Sequence, residues 1–170
     1  MKRNIFFWQF AGFVFATALG TILHFLYDWV GENIAVAPFS AINESTWEHM
    51  KILFFPMLIF GLFQNRFFRA DYPGFWCVKL LGTVVGLLVI PLLFYGYNGA
   101  IGKTPDAINV LIFFIGAALG AAVEWHLFTY AGKQCRWKPI AFLGFATLLF
   151  AFVFFTFAPP SLPIFQDPLA

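Results

Sequence analysis

The chain has 170 residues, of which 61% are hydrophobic and only 11% are charged, with a net charge of +2. Soluble domains carry about 25% charged and about 45–50% apolar residues, so this composition excludes an ordinary soluble domain, a disordered chain and a nucleic-acid binder. Two cysteines cannot form a disulfide framework. The composition indicates an integral membrane protein whose main partner is the lipid bilayer.

Five apolar stretches are long enough to cross a bilayer. One crossing requires about 20 mostly apolar residues. Each crossing segment should be helical, because backbone groups find no water partners in lipid. The sequence therefore predicts an all-α fold, a bundle of five transmembrane helices over residues 1–158, followed by a proline-rich extended tail over 159–170. The predicted spans are residues 5–27, 45–63, 75–95, 107–130 and 139–157.

The basic residues predict the orientation of the bundle, because lysine and arginine accumulate in short cytoplasmic loops. With a cytoplasmic N-terminus, only Lys51 and Lys103 fall outside, and the C-terminus lies outside. Cys77 and Cys135 then lie near the cytoplasmic boundary, where we expect reduced thiols. The eight basic residues predicted inside are Lys2, Arg3, Arg66, Arg69, Lys79, Lys133, Arg136 and Lys138.

The most polar segment beside a predicted membrane helix covers residues 43–51, with the sequence Asn-Glu-Ser-Thr-Trp-Glu-His-Met-Lys. Glu44 and Glu48 are four residues apart, so we expect both side chains on one helix face. Glu48 and Lys51 are three apart and can pair on the same helix. His49 adds an imidazole close to these carboxylates. The segment therefore places acidic and imidazole groups at the outer end of the second span.

A second polar pair, His24 and Asp28, closes the first span and also shares a helix face. A loop of fewer than twenty residues joins the first two helices, so both polar groups lie at the outer side. We expect the helices to pack these groups into one outward-facing pocket, to which Tyr27 adds a hydroxyl. The predicted pocket consists of His24, Asp28, Glu44, Glu48 and His49.

Imidazole and carboxylate groups together suit zinc, iron or manganese. A site with three or four such ligands and one open position can activate water. In this interpretation the pocket binds a divalent metal and hydrolyses or modifies a lipid or small solute. One of Glu44 and Glu48 is then a ligand and the other the general base. The segment contains no H-E-x-x-H zinc signature.

Two other interpretations of the same residues stay open. Ser45 and Glu48 have the spacing of a capping box, and acidic groups stabilise the positive end of a helix, so the segment can be a helix cap. Alternatively, histidine and carboxylate groups carry protons or cations, as in a transporter or channel component. A structural accessory subunit of a membrane complex is the third class of function.

Glu124 is the one acid predicted inside a span, and intramembrane acids are costly and often functional. It lies 17 residues after Ala107, about 25 Å from the outer face at 1.5 Å per residue. We expect it to pair with a basic residue near the inner boundary, or to form a polar pathway whose other end is the outer pocket with Tyr27. The candidate basic partners are Arg66, Lys79 and Arg136.

Small residues recur at four-residue spacing in three spans, and such faces let membrane helices approach closely. They predict a compact bundle and offer faces for a homo-oligomer. The small residues are Gly12, Ala16 and Gly20 in the first span, Gly82 and Gly86 in the third, and Gly116 and Gly120 in the fourth.

Residues 43–51, followed by an apolar run that contains Pro56, resemble the N-E-S-x-W-E-H-x-K hallmark of a family of small bacterial multi-pass membrane proteins. His24 and Tyr27 at the end of the first span also fit this pattern. The resemblance implies a location in the prokaryotic inner membrane. It implies no chemistry, because the family has no assigned activity.

Overall fold

The computed structural model describes residues 4–102, 105–130 and 138–168. These residues form five long helices and a short 3-10 helix, with no strand among them. All five long helices are long and apolar enough to cross a membrane, as the sequence predicts. They are α1 (Ile5–Trp29), α2 (Thr46–Phe68), α3 (Phe75–Ile101), α4 (Asp106–Tyr130) and α5 (Lys138–Phe157), and the 3-10 helix covers Pro163–Phe165.

The helix bounds differ most from the prediction at the end of α3, which continues six residues beyond position 95. The aromatic and polar residues there suggest a membrane boundary in the sequence, but they remain helical. The helix ends where Gly102 adopts a positive φ of 105°, a conformation that favours glycine. Pro56 and Pro91 lie inside α2 and α3 without ending them.

Helix α2 is the most buried of the five helices. Helices α1, α3 and α4 pack around it, and α5 lies against α3. The glycines of α3 and α4 face one another, since a Cβ atom at Gly116 would lie 2.9 Å from the Gly86 carbonyl oxygen. A Cβ atom at Gly120 would lie 2.9 Å from the Gly82 carbonyl oxygen. These small-residue faces therefore join helices within the chain, and a homo-oligomer through them stays a prediction.

One end of the bundle brings together the end of α1, the loop over residues 30–45 and the start of α2. We call it the motif end, and the other the opposite end. Ser40 fastens the loop to α1, because its hydroxyl donates to the Leu23 carbonyl at 2.5 Å and accepts from the Tyr27 amide at 3.0 Å. The tail also returns here, where the Phe165 ring packs against Trp47 with ring centroids 4.7 Å apart.

The predicted orientation of the bundle meets one contrary observation. Cys77, near the start of α3, is disulfide-bonded, so the predicted reduced thiol is wrong at this position. Disulfides are typical of oxidising compartments. The other residues on which the predicted orientation depends lie partly outside the described residues, which do not include Lys2, Arg3, Lys103, Lys133, Cys135 and Arg136.

Candidate metal centre

The start of α2 positions the polar groups of the motif end. Ser45 is the N-cap, and its hydroxyl accepts a hydrogen bond from the Glu48 amide at 3.4 Å. This bond forms one half of the predicted capping box. Glu48 does not complete the box with the Ser45 amide, which donates instead to Asn43 Oδ1 at 2.9 Å. The Glu48 carboxylate turns toward the loop, where Oε2 accepts from the Ile42 amide at 3.0 Å.

Lys51 connects this carboxylate to two other parts of the chain. Its side chain is fully buried, and Nζ lies 2.5 Å from Glu48 Oε2. The same ammonium donates to the Ala37 carbonyl at 2.8 Å and to the Thr156 hydroxyl at 2.9 Å. A lysine ammonium has three N–H donors, and these three acceptors match them. The Glu48–Lys51 pair therefore fastens the loop and α5 onto α2.

His24, Glu44 and His49 form a cluster beside this pair. Glu44 Oε2 lies 3.7 Å from His24 Nε2 and 3.6 Å from His49 Nε2. One ligand atom from each residue can be chosen so that all three lie within 4.8 Å of one another. The three side chains are partly buried, and they come from α1, the loop and the first turn of α2. We call these three residues the His/Glu cluster.

The separations in the cluster suit a shared metal ion better than direct hydrogen bonds. Nitrogen–oxygen hydrogen bonds have heavy-atom distances of about 2.7–3.2 Å, shorter than the two distances to Glu44. Two ligands of tetrahedral zinc lie about 3.3 Å apart when each metal–ligand distance is about 2.0–2.1 Å. Small side-chain adjustments would therefore let all three atoms reach one ion.

The second ring nitrogen of His49 orients its imidazole. His49 Nδ1 lies 2.9 Å from the Ser45 carbonyl oxygen. A carbonyl only accepts hydrogen bonds, so Nδ1 carries the proton in this contact, and Nε2 of the neutral ring keeps its lone pair. That lone pair is on the atom nearest Glu44. Metal-binding histidines usually have their other ring nitrogen on a carbonyl or carboxylate in this manner.

The C-terminal tail contributes a second carboxylate beside the cluster. The Glu44 amide donates to Asp167 Oδ2 at 3.3 Å. Asp167 also lies close enough to His49 for an electrostatic interaction between them. The tail is held there by aromatic contacts of Phe165 with Trp47 and Phe155. Asp167 is therefore placed to position the Glu44 backbone.

Two pockets meet at His49. The first, of about 20 Å³, is lined by Glu44, Thr46 and Asn109 and by apolar side chains of α3 and α4. The second, of about 100 Å³, contains His24 and has largely apolar walls. His49 lines both. The cluster is thus accessible from a more polar pocket and from an apolar one.

The structure brings together three of the five residues predicted for the pocket, His24, Glu44 and His49. Glu48 contacts Lys51 and the loop instead. Asp28 lies exposed in the last turn of α1, outside the cluster. Tyr27 contributes to this region through its backbone amide, which donates to the Ser40 hydroxyl.

Glu124 pairs with Lys79, one of its three predicted partners, at 2.6 Å between Oε2 and Nζ. Both side chains are almost completely buried. Gly82 makes room for the carboxylate, because a Cβ atom there would collide with the Glu124 side chain. A small cavity of about 10 Å³, about the space of one water, borders the pair and is also lined by Gln9.

The polar groups around this second pair are incompletely hydrogen-bonded. Glu124 Oε1 is buried and has no hydrogen-bond partner. Three other side chains have buried polar atoms without a hydrogen-bond partner: Gln9 Nε2, both polar atoms of the Gln64 amide, and Thr83 Oγ1. Most buried polar atoms in proteins have a partner, so such a group indicates either a functional site or bound water.

Two polar residues of the motif end were not predicted from the sequence. Asp167 lies 123 positions from Glu44, in a tail whose prolines indicate only an extended chain. Asn109 lies in the first turn of α4 and lines the more polar pocket. Asn109 lies at the outer end of a predicted span, and the span ends on one side of a bundle lie close together. This placement could have identified Asn109 from the sequence.

The helices and the cluster define an all-helical protein with five candidate membrane spans and a His/Glu cluster at one end. The model of a family of unknown function, DUF6512, matches residues 2–170, so the chain belongs to this family. No curated protein and no solved structure matches the chain. Membership of an uncharacterised family is thereby confirmed, while the bacterial origin and the shared motif stay predictions.

Proposed function

We propose that this protein is a membrane-embedded metalloprotein that binds one divalent transition-metal ion, preferably Zn²⁺. The ligands are His24 Nε2, His49 Nε2 and a Glu44 carboxylate oxygen. Two imidazoles and one carboxylate form the ligand set of several hydrolytic zinc enzymes, and Fe²⁺ also accepts this set. The observation that carries the proposal is the His49–Ser45 contact, which directs the Nε2 lone pair toward Glu44.

Three protein ligands leave one position of a tetrahedral ion for water. A zinc-bound water ionises near neutral pH, with a pKa of about 7. Held by His24, Glu44 and His49, the ion would supply such a water as the nucleophile for an ester or phosphoester: the bond from the acyl or phosphoryl group to the alkoxide would break, and the proton released by the water would go to that alkoxide. Hydrolysis is therefore the reaction class we propose for the site.

The two predicted catalytic carboxylates have different roles in this proposal. Glu44 is a metal ligand. Glu48 is a positioning residue, because its carboxylate holds the Ile42 amide only two residues before Glu44 and is already paired with Lys51. Asp167 positions the Glu44 backbone from the tail.

The proposal is tested by metal titration of the purified protein in detergent. Isothermal titration with Zn²⁺ should give one site per chain. Glu44→Gln, His49→Ala and His24→Ala should each lower the affinity by at least about tenfold, because each removes one of three ligands. Asp28→Asn is the matched control, since Asp28 is an exposed acid near His24 but outside the cluster, and its affinity should equal that of the wild type. Absence of a saturable site, or equal affinity in Glu44→Gln, would contradict the proposal.

We also propose that the chain lies in a prokaryotic inner membrane, with the opposite end in the cytoplasm and the motif end outside. Arg66, Arg69 and Lys138 are exposed at the opposite end, whereas Lys51 at the motif end is buried in an ion pair. The exposed basic residues therefore support the positive-inside orientation. A green-fluorescent-protein fusion should fluoresce at the N-terminus, and an alkaline-phosphatase fusion should be active at the C-terminus. The reverse pattern would show the opposite orientation, which the Cys77 disulfide favours.

A second candidate function is proton or cation transfer through the opposite end. The specific support is the Lys79–Glu124 pair with its unpartnered neighbours and adjoining pocket. Proton flux measured in proteoliposomes under an imposed pH gradient should exceed that of protein-free vesicles and fall to their level in Glu124→Gln. Equal flux in the variant and the wild type would remove Glu124 from any such pathway.

A further inference from the structure

We infer that the ligand of the proposed metal site is a phospholipid, whose phosphate or ester group reaches the His/Glu cluster while one acyl chain lies in a crevice between α1 and α4. This inference rests on the proposed function, because the metal supplies the positive charge for the headgroup. Phospholipids are therefore the substrate class that we assign to the site.

The crevice is the cavity of about 100 Å³ that contains His24 and His49. One water needs about 10–15 Å³ of such space, so the crevice has room for several heavy atoms of a chain. Beyond the two histidines, α1, α2 and α4 line it mainly with glycine, aliphatic and phenylalanine residues. Such a cavity suits a hydrocarbon chain with a polar group at one end.

Apolar side chains with high exposure surround the crevice. Phe25 of α1 is 45% exposed, and Val110 of α4 is 57% exposed. Both lie on helices that are long and apolar enough to cross a membrane, so their exposed surfaces face lipid chains in a bilayer. An acyl chain can therefore enter the crevice sideways from the bilayer, without passage through water.

The smaller pocket adjoins the polar end of the crevice. Glu44, Thr46 and Asn109 line it together with His49, and Asn109 Oδ1 is buried without a hydrogen-bond partner. This oxygen is an acceptor, so it suits a hydroxyl or ammonium donor of a headgroup and not a phosphate oxygen. Because His49 and Phe113 line both pockets, the polar end of a chain in the crevice would lie beside His49, where the smaller pocket of about 20 Å³ admits about one water-sized group.

Charge also distinguishes a lipid from a highly charged soluble substrate. Among the described residues, neither pocket has a lysine or arginine in its lining. A soluble polyanion would therefore meet mostly apolar walls and one metal ion. A phospholipid needs the metal for a single anionic group and gains the remaining interaction from its chain, because burial of each CH₂ is worth about 0.8 kcal/mol.

The test uses the full-length protein in nanodiscs of phosphatidylethanolamine that contain phosphatidylglycerol with a photoactivatable diazirine on one acyl chain. Irradiation and peptide mapping should locate labels on α1 and α4 around Phe25 and Val110. Unlabelled phosphatidylglycerol should reduce the labelling, whereas soluble glycerol 3-phosphate should not. Suppression by glycerol 3-phosphate at equal concentration would show that the site takes a soluble phosphate ester and would overturn the inference.

Val110→Trp and Leu111→Trp form a matched pair of variants. Val110 lines the crevice, whereas the adjacent Leu111 is 52% exposed but does not line it. Both substitutions place indole on an exposed apolar surface, so neither should prevent folding. We expect Val110→Trp to lower labelling around Phe25 by about tenfold, equivalent to about 1.4 kcal/mol, and Leu111→Trp to leave it unchanged. Equal labelling in both variants would overturn the inference.

Zn²⁺ titration of the same samples separates the two proposals. Saturable Zn²⁺ binding without labelling around the crevice would refute the lipid ligand and leave the metal site intact. Labelling without Zn²⁺ binding would refute the metal site, and with it the proposed contact between headgroup and metal. We expect saturable Zn²⁺ binding and labelling around the crevice in the wild type, with labelling lowered in Val110→Trp.

Discussion

Each end of the bundle contains a buried lysine–glutamate pair, and the two pairs differ in how fully they are hydrogen-bonded. At the motif end, Lys51 donates to Glu48, the Ala37 carbonyl and the Thr156 hydroxyl. Glu48 also accepts from the Ile42 amide. A buried ion pair stabilises a fold only when the remaining polar atoms are satisfied, which makes this pair a structural support for the cluster beside it.

At the opposite end, Lys79 and Glu124 form an equally close contact in a less satisfied environment. Glu124 Oε1, Gln9 Nε2, the Gln64 amide and Thr83 Oγ1 have no hydrogen-bond partner. Leaving such groups unsatisfied costs about 1–3 kcal/mol each. The two lysine–glutamate pairs therefore differ in environment: backbone and side-chain groups satisfy the motif-end pair, while one carboxylate oxygen of the opposite-end pair has no partner among the described residues.

Removal of one partner from the motif-end pair should have the largest effect on stability. Lys51→Met leaves the Glu48 carboxylate buried without its cation, and such a change typically costs about 3–5 kcal/mol. Thermal unfolding in detergent should show a strongly lowered Tm. The double variant Glu48→Gln/Lys51→Met should recover part of the loss, because it removes both charges. A loss below about 1 kcal/mol in Lys51→Met would show that the pair is not a structural support.

The equivalent neutralisation at the opposite end should be milder. Glu124→Gln keeps the size of the side chain, and the carboxylate it replaces has one oxygen without a partner. We expect a loss of about 1.5–3 kcal/mol, the value of one hydrogen bond to a charged group, because the buried Lys79 ammonium loses its anion but keeps a polar neighbour. Glu48→Gln, measured under the same unfolding conditions, should lose more, because Glu48 serves both Lys51 and the Ile42 amide. Equal losses in the two variants would abolish the distinction between the pairs.

The tail carboxylate should influence the metal site without being one of its ligands. Asp167→Asn weakens the acceptor of the Glu44 amide, and loss of a group that orients a metal ligand typically lowers metal affinity by about 10–100-fold. The substitution should leave the Tm nearly unchanged, because Asp167 lies in the tail. Zn²⁺ titration and thermal unfolding of the same sample check both expectations. Unaltered affinity would remove the tail from the site.

Loss of the helix cap should have the smallest effect. Ser45→Ala removes the hydroxyl that accepts from the Glu48 amide, with an expected cost of about 1 kcal/mol. The Ser45 carbonyl, which orients His49, is a backbone group and remains. Zn²⁺ affinity should therefore stay within about twofold of the wild type while the Tm falls slightly. A large loss of affinity would mean that the cap, and not the carbonyl, controls the orientation of His49.

Hydropathy was sufficient to predict the helices, because a crossing segment must be both long and apolar. It also predicted that His24 and the 43–51 segment lie at the same end, since consecutive spans are antiparallel. The choice between Glu44 and Glu48 could not be made from spacing. The helix-face rule holds only within a helix, and Glu44 precedes the N-cap Ser45, so the two carboxylates point to different partners.

Contacts between distant parts of the chain were the second feature that could not be predicted from the sequence. Lys79 was one of three candidate partners for Glu124, and the choice depends on how closely α3 and α4 approach at Gly82. The role of Asp167 depends on where the tail turns back. Its anchor is the contact between Phe165 and Trp47, and no local pattern indicates this pairing of two aromatic rings.

Zinc K-edge X-ray absorption of the purified protein with one equivalent of Zn²⁺ reports the proposed ligands themselves. We expect two imidazole nitrogens at about 2.0–2.1 Å and carboxylate and water oxygens at about 2.0–2.2 Å, with the imidazole scattering reduced in His49→Ala. A spectrum with oxygen neighbours alone, or one identical in the wild type and His49→Ala, would contradict the proposal that His24, Glu44 and His49 hold a metal ion.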